Sequence, residues 1–481
     1  MAKKKRRKHR NRIRNRFLLT FLAVCLAGAV LLCAVSFGKS REREVFSTGK
    51  EQEAFQEGEQ TEPGVAKLPQ EAAGDGQTAG AGTGQASDTG QTADAGQPEQ
   101  SEQPEEAAQP EQEIKPVTMA FGGDICFHDE YANMYALRSR GGKIESSVSA
   151  ELLAEMRGAD ILMVNNEFSY SDRGAPLPDK AFAFRSDPEN VNLLHEMGVD
   201  IVSLANNHVY DYGEDALFDT LDTIKGAGIP YVGAGRNLDE ASAPYYYEIN
   251  GRTIAFLSAT QVERNENPDT RGATEVTAGT FRCFTQEEFD RLLEAVREAD
   301  QKADLTVVYI HWGTENTDEL HWAQEWQAPE LVEAGADLIV GDHPHCLQAV
   351  DYIDGVPVFY SLGNFWFNSK TLDTGLLKVV FDEKGNLTCQ FLPAKQHDCR
   401  TDLETGEEKQ RILDYLQCIS PDVTIDADGY ISNVPYSGPP IDYDRVQRLP
   451  QKPAEPQATE QQPAAPDQAV PQATEQKPAA P

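Results

Sequence analysis

Five short apolar runs, each ending in a polar cluster, constrain this 481-residue chain more than any other feature. They lie at 118–121, 161–164, 201–204, 305–310 and 338–340. Short apolar runs of this kind, closed by polar residues, read as buried strands. Amphipathic stretches at 147–156, 188–197, 214–227, 286–299 and 323–334 fall among them. That alternation points to an α/β domain. Three hairpin signals interrupt it: Asn250-Gly251, Asp354-Gly355 and Lys384-Gly385-Asn386, each between apolar runs. Asn-Gly and Asp-Gly favour tight antiparallel turns. A mixed sheet, or two packed sheets flanked by helices, therefore fits better than a simple doubly wound sheet.

Composition confines this pattern to residues 115–435. Residues 38–114 are Gly, Gln, Glu, Ala, Thr and Pro with almost no large apolar side chain, so they are expected to be a disordered linker. Residues 436–481 end in two near-identical copies of PQATEQ(Q/K)PAAP, at 456–466 and 471–481, and are expected to be an extended tail. Residues 1–16 carry ten Lys or Arg and no acid, and residues 17–37 carry no charge. A helix of 21 such residues spans the ~30 Å hydrocarbon layer. The basic flank would stay cytoplasmic, leaving the remainder outside the cell membrane. A cleaved signal peptide is the competing reading, with Ala34-Val35-Ser36 as its small-residue site.

Net charge is −35. Apart from the basic tail, 33 positive charges face 78 negative ones, leaving −45. Such a body repels nucleic acid. The six cysteines beyond the apolar segment form no CxxC pair, and each reads as a small buried apolar residue rather than half a disulfide.

The chemistry-bearing residues close the five runs: Asp124, Asn165-Asn166-Glu167, Asn206-Asn207-His208, His311-Trp312-Gly313 and Asp342-His343-Pro344-His345. In α/β sheets the carboxyl ends of strands converge on one crevice. Carboxylates, an amide and imidazoles gathered there would suit Mn, Fe or Zn. Each cluster also has a plainer reading as a turn or helix cap. Pro344 by itself would hold its neighbours extended.

The stretches FGGDICF (121–127), NNE (165–167), SLANNHVYDYG (203–213), IHWGTE (310–315), AGADLIVGDHPHCLQ (334–348) and YSLGNF (360–365) together resemble the CapA family of poly-γ-glutamate capsule synthesis proteins. The resemblance covers about residues 117–380 and implies a calcineurin-like metallophosphatase fold, an αββα sandwich with mixed sheets. It implies two divalent ions held by Asp124, Glu167, Asn207, His311, His343 and His345. Asp124 and His345 would serve the first ion, Glu167 would bridge, and Asn207, His311 and His343 would serve the second. His208 would be the catalytic proton donor, with Asp211 orienting it. Two departures stand out. Cys126 occupies the place of a histidine in the first motif, so the first ion loses an imidazole unless Cys126 or His128 substitutes. Asp342 stands where relatives often carry a histidine; its carboxylate would favour Mn or Fe, or simply face solvent.

The function implied is that of a membrane-anchored cell-surface protein of capsule biosynthesis or export, a metal-dependent hydrolase or transferase acting on a surface polymer. The expected partners are the anionic polymer poly-γ-glutamate or its synthase complex. A non-catalytic assembly or export subunit is the alternative. In YSLGNF, Ser361 lacks a nucleophile elbow, and residues 360–365 read as a hairpin under the site. Trp312 and Trp366 would be core residues or, alternatively, walls of a polymer groove.

Overall fold

Strand Val117–Ile125 is the axis of the larger sheet. Alternate side chains point to opposite faces of a strand. Val117, Met119 and Phe121 accordingly enter one apolar cluster and Ala120 the other, which Ile125 also joins because the register shifts after Phe121. Both faces are covered, so the run is apolar at nearly every position. The computed structural model describes residues 113–178, 180–263 and 270–448. The expected basic tail, the run 17–37, the linker up to residue 112 and residues 449–481 lie outside these. Among the described residues no helix is long and apolar enough to cross a membrane.

The structure is a mixed α/β fold. In the larger sheet, Val117–Ile125, Ile161–Asn166, Ile201–Ser203 and Tyr231–Val232 run parallel. The antiparallel pair Leu372–Phe381 and Leu387–His397 continues it on the other side. In the smaller sheet, Arg252–Thr260, Leu305–His311, Leu338–Asp342 and Val356–Phe359 are parallel. Tyr245–Ile249 and Val350–Ile353 pair antiparallel at its edges.

The sheets face each other across one core. Val117, Met119, Phe121, Met163, Leu377 and Val379 from the larger sheet meet Phe256, Val307, Tyr309 and Val340 from the smaller. Outside the larger sheet pack Leu152 and Met156 of helix Ala150–Arg157 and Leu217, Leu221 and Ile224 of helix Glu214–Gly226. Outside the smaller sheet pack Phe289, Leu292, Val296 and Ala299, one face of helix Gln286–Lys302, with Leu331 and Val332 of helix Trp322–Ala334. Thr285 and Glu288 close a capping box at the start of Gln286–Lys302, satisfying two backbone donors that the helix itself leaves unpaired.

The expected hairpins form. Asn250 and Gly251 take φ of 51° and 72°, and Asp354 and Gly355 take 49° and 80°, as two-residue primed turns require. Residues 360–365 differ from expectation. They form no hairpin; strand Asn364–Trp366 lies parallel to the end of Val117–Ile125, with Asp124 opposite Asn364. The reason is close backbone approach: a Cβ on Gly123 would stand 1.9 Å from Gly363 O. Trp312 and Trp366 are fully buried, and their indole N–H groups donate to Tyr360 O (2.9 Å) and Cys399 O (3.1 Å). They are core residues and form no groove. Packing also continues past residue 435, because Val446 of helix Tyr443–Val446 is buried in the inter-sheet core. The six described cysteines are free, and all but Cys418 are buried.

Gly123→Ala should lower stability by about 1–3 kcal/mol, since the added carbon meets rigid backbone. Gly226→Ala, with nothing within 4 Å of the added carbon, should raise it by about 0.5 kcal/mol. Urea unfolding of both variants measures the contrast.

Candidate metal centre

The carboxyl ends of strands from both sheets meet at one buried point. Val117–Ile125 delivers Asp124, Ile161–Asn166 delivers Asn165 and, just beyond its end, Glu167, and the loop after Ile201–Ser203 delivers Asn206, Asn207 and His208. From the smaller sheet, Leu305–His311 ends in His311, and Leu338–Asp342 ends in Asp342 ahead of His343 and His345. The sheets join directly at His311 Nε2, 2.9 Å from Asn207 Oδ1. Asp124, Glu167, His311 and Asp342 are completely buried.

Two groups of candidate ligands result, Glu167 with His343 and His345, and Asp124 with His311 and Asp342; within each, the ligand atoms lie within 4.8 Å of one another. This grouping crosses the allocation implied by the family, which put His345 with Asp124 and His343 with His311. The groups touch, since His343 Nδ1 is 3.1 Å from His311 Nε2 and His345 Nδ1 is 3.2 Å from Asp124 Oδ2. His343 takes φ of 92° and His345 of 58°, so the loop around Pro344 turns left-handed rather than staying extended. Such a conformation is disfavoured for non-glycine residues and clusters at functional sites.

Amides fix the carboxylates. Asn165 Nδ2 donates to Asp124 Oδ1 (2.9 Å), and Asn165 Oδ1 accepts from Asn206 Nδ2 (2.9 Å). Asn206 Oδ1 accepts the backbone N–H of His208 and of Val209, which shapes the loop carrying Asn207 and His208. Asp342 Oδ1 lies 2.8 Å from His311 Nδ1. His208 Nδ1 lies 2.8 Å from Asp211 Oδ2, while its Nε2 faces Glu167 Oε1 at 3.8 Å. Asp211 does not cap the following helix, whose N-cap is Gly213; its carboxylate accepts from Phe184 N (2.7 Å) and from Lys180.

The protonation tendencies reflect this crowding. Burial, then the charges of Asp124 and Asp342, raise the Glu167 carboxyl well above its ordinary value. Burial and Asp124 do the same to Asp342. Burial also works to raise Asp124, but the hydrogen bond and charge of His345 prevail and hold it below the usual carboxylate range. Burial lowers His343 and His208, and brings His311 down to about 3. His345 is raised, because Asp124 outweighs the effect of burial.

These residues fit a divalent cation. Glu167 Oε1 and Asp342 Oδ2 are buried with no hydrogen-bond partner, an arrangement costly for an acceptor. Glu167 Oε1 stands 3.7 Å from His311 Nε2. Acceptors so placed need a proton or a cation among them, and the mixed N and O donors suit Mn, Fe or Zn.

All eight residues singled out from the sequence come together here. Cys126 and His128 do not join them. Cys126 is buried in the helix-side apolar core, where burial pushes its thiol up. His128 Nδ1 pairs with the backbone of Arg185, and its ring packs on Tyr131 and Phe184. Asp342 is a buried candidate ligand and does not face solvent. Sequence reasoning passed over Asn364, whose Oδ1 lies 2.8 Å from His345 Nδ1, and over Lys180. Asn364 had a signal in the Gly-Asn pair of YSLGNF; Lys180 had none.

Fold and site together define a two-sheet α/β protein with a buried carboxylate–imidazole centre. The chain belongs to the family of bacterial capsule synthesis proteins, PGA_cap, whose model matches residues 118–369, and relatives named CapA agree with that membership. It is 32% identical over 224 residues to the PGA biosynthesis protein CapA of Bacillus subtilis (strain 168), covering 46% of this chain and 57% of that protein. To the capsule biosynthesis protein CapA of Bacillus anthracis it is 34% identical over 221 residues, covering 45% and 52%. To a probable polyglutamine synthesis accessory protein of Mycobacterium tuberculosis (strain H37Rv) it is 26% identical over 213 residues, covering 44% and 56%. The chain thus spans about half the length of the curated relatives it matches. A solved structure, TT1561 of Thermus thermophilus, aligns with 58% of this chain and 99% of its own at 10% identity; its TM-score of 0.32 is too low to carry an argument.

A carboxyl whose folded pKa is raised stabilises the fold below its unfolded value, 4.5 for Glu, and that stability is lost as pH rises through the folded value. At pH 7.5, well above that unfolded value, burying the Glu167 carboxyl therefore works against folding of the metal-free protein. Glu167→Gln should raise the Tm of the chelator-treated protein by about 1–3 °C and abolish the further rise that Mn2+ gives the wild type. Scanning calorimetry with and without Mn2+ checks both.

Proposed function

We propose that this chain is an anchored cell-surface protein of poly-γ-glutamate capsule synthesis or export whose domain is a metal-dependent hydrolase or transferase acting on a surface polymer. The observation that carries the reading is the buried meeting of Asp124, Glu167 and Asp342 with His311, His343 and His345, two of whose carboxylate oxygens have no partner. The names borne by the Bacillus relatives support the pathway. The family resemblance supports the calcineurin-like class. Ten basic residues before the uncharged run 17–37 support an uncleaved anchor with a cytoplasmic N-terminus and the domain outside.

In this reading Asp124, Glu167, Asn207, His311, His343 and His345 hold the metal, and Asp342 joins them. A bound divalent ion would polarise a phosphoryl or carbonyl oxygen and activate water near neutral pH. The protein supplies the rest. Asp211 holds Nδ1 of His208, leaving Nε2 turned toward Glu167 and the site. Burial lowers the pKa of this imidazole, so once protonated it is a stronger acid than a free one, suited to protonating a leaving group. Phe184 stacks on the ring at 4.1 Å and excludes water from that side. A body at −45 repels a polyanion until cations screen it, which favours transient contact with polymer over tight storage of it.

One observation favours the alternative of a non-catalytic assembly subunit: Cys126 replaces a motif histidine and turns into the apolar core.

Metal analysis by mass spectrometry of the detergent-solubilised full chain separates the two. The wild type should hold one or two equivalents of Mn, Fe or Zn, lost in His311→Ala/His343→Ala. His208→Ala should keep its metal and lose about 10²–10⁴-fold in turnover of p-nitrophenyl phosphate esters. Metal-free protein after reconstitution would leave the assembly role.

A further inference from the structure

Residues 171–178 and 180–184, between the short strands Ser169–Tyr170 and Arg185–Ser186, pack on the loop that carries Asn207 and His208. Four contacts fasten them there. Leu177 N–H donates to Asp211 O at 2.8 Å, and Phe184 N–H to Asp211 Oδ2 at 2.7 Å. The Phe184 ring stacks on His208 with an interplanar angle of 28°. The fourth contact is Lys180, whose ammonium donates both to the carbonyl oxygen of Asn207 and to Asp211 Oδ1.

The Lys180 side chain is 4% exposed and that of Asp211 is fully buried. Burying an ammonium is costly unless its donors are used. Here its acceptors are the backbone of a candidate metal ligand and the carboxylate that fixes the His208 ring. One cation therefore ties the backbone at Asn207 to the carboxylate that holds His208. A hydrocarbon of similar length would fill the same space without joining them.

The geometry points to Lys180 as a positioning residue: through Asp211 it fixes the orientation of His208, and through the carbonyl of Asn207 it sets that residue's place in the centre. It touches neither substrate nor metal itself. This inference rests on the reading of the site as a metal-dependent catalytic centre, yet its first observable, the His208–Asp211 hydrogen bond, exists without turnover.

The experiment compares full-chain Lys180→Met and Lys180→Arg with the wild type. Its first readout is the downfield proton signal of His208 Nδ1–H, identified by its absence in His208→Ala. The signal should be shifted or lost in Lys180→Met and retained in Lys180→Arg, while both variants melt cooperatively and still bind Mn2+. With p-nitrophenyl phosphate and bis(p-nitrophenyl) phosphate as probes, Lys180→Met should lose at least about tenfold in kcat, part of what a general acid supplies. KM should stay within about threefold, and Lys180→Arg should recover part of the loss. An unchanged His208 signal in Lys180→Met overturns the inference. So does a wild type without that signal, or equal loss of signal and of cooperative melting in both variants, which makes Lys180 a fold residue only. A wild type that neither binds Mn2+ nor turns over either ester defeats the hydrolase reading instead, and the proton signal alone then decides Lys180.

Discussion

Three carboxylates buried at one point are the constraint on which the rest of this structure depends. Asp124, Glu167 and Asp342 come from three separate chain segments and none is exposed. Like charges so placed cannot all ionise unless positive charge lies among them. The protein provides His345 for Asp124, which keeps that carboxyl ionised, and leaves Glu167 and Asp342 pushed toward their protonated forms. Amide side chains of Asn165, Asn206 and Asn364 carry no charge and serve as struts, orienting the acids and imidazoles without neutralising them.

The fold explains why such a cluster can be held. Two mixed sheets share a core, and their parallel strands end at the same place, so each sheet contributes part of the site from rigid backbone. Helices cover both outer faces. Close approach is secured where backbones must pass: Gly123 against Gly363 O, and Gly341, where a Cβ would stand 2.2 Å from Tyr360 O. Within the site the left-handed backbone falls on His343 and His345, whose imidazoles reach His311 and Asp124.

Much of this was legible in the sequence because the signals are local. A buried strand announces itself as an apolar run, and 305–310 became Leu305–His311 with its last residue in the site. Asn-Gly and Asp-Gly specify their turns through their own backbone preferences. The helix Gly406–Cys418 also left a signal in Ile412, Leu413 and Leu416 on one face, and reading the chain for catalytic motifs passed over it. Other features were not legible because they arise from tertiary packing. Asp342 could have faced solvent until the neighbouring strand put His311 beside it. Cys126 follows a motif aspartate, yet it turns into the helix-side core. Asn364 reaches His345 only because strand Asn364–Trp366 adds beside Val117–Ile125. Lys180 lies 27 residues before Asn207, with no pattern linking them.

The central claim is that this cluster exists to surround metal, and anomalous diffraction from crystals grown with Mn2+ tests it most directly. The account predicts at least one anomalous peak, bonded to Glu167 Oε1 or Asp342 Oδ2 at the roughly 2.0–2.2 Å typical of carboxylate ligands on such ions. Water or empty density at those oxygens, with both carboxyls protonated and hydrogen-bonded to neighbouring groups, would contradict it.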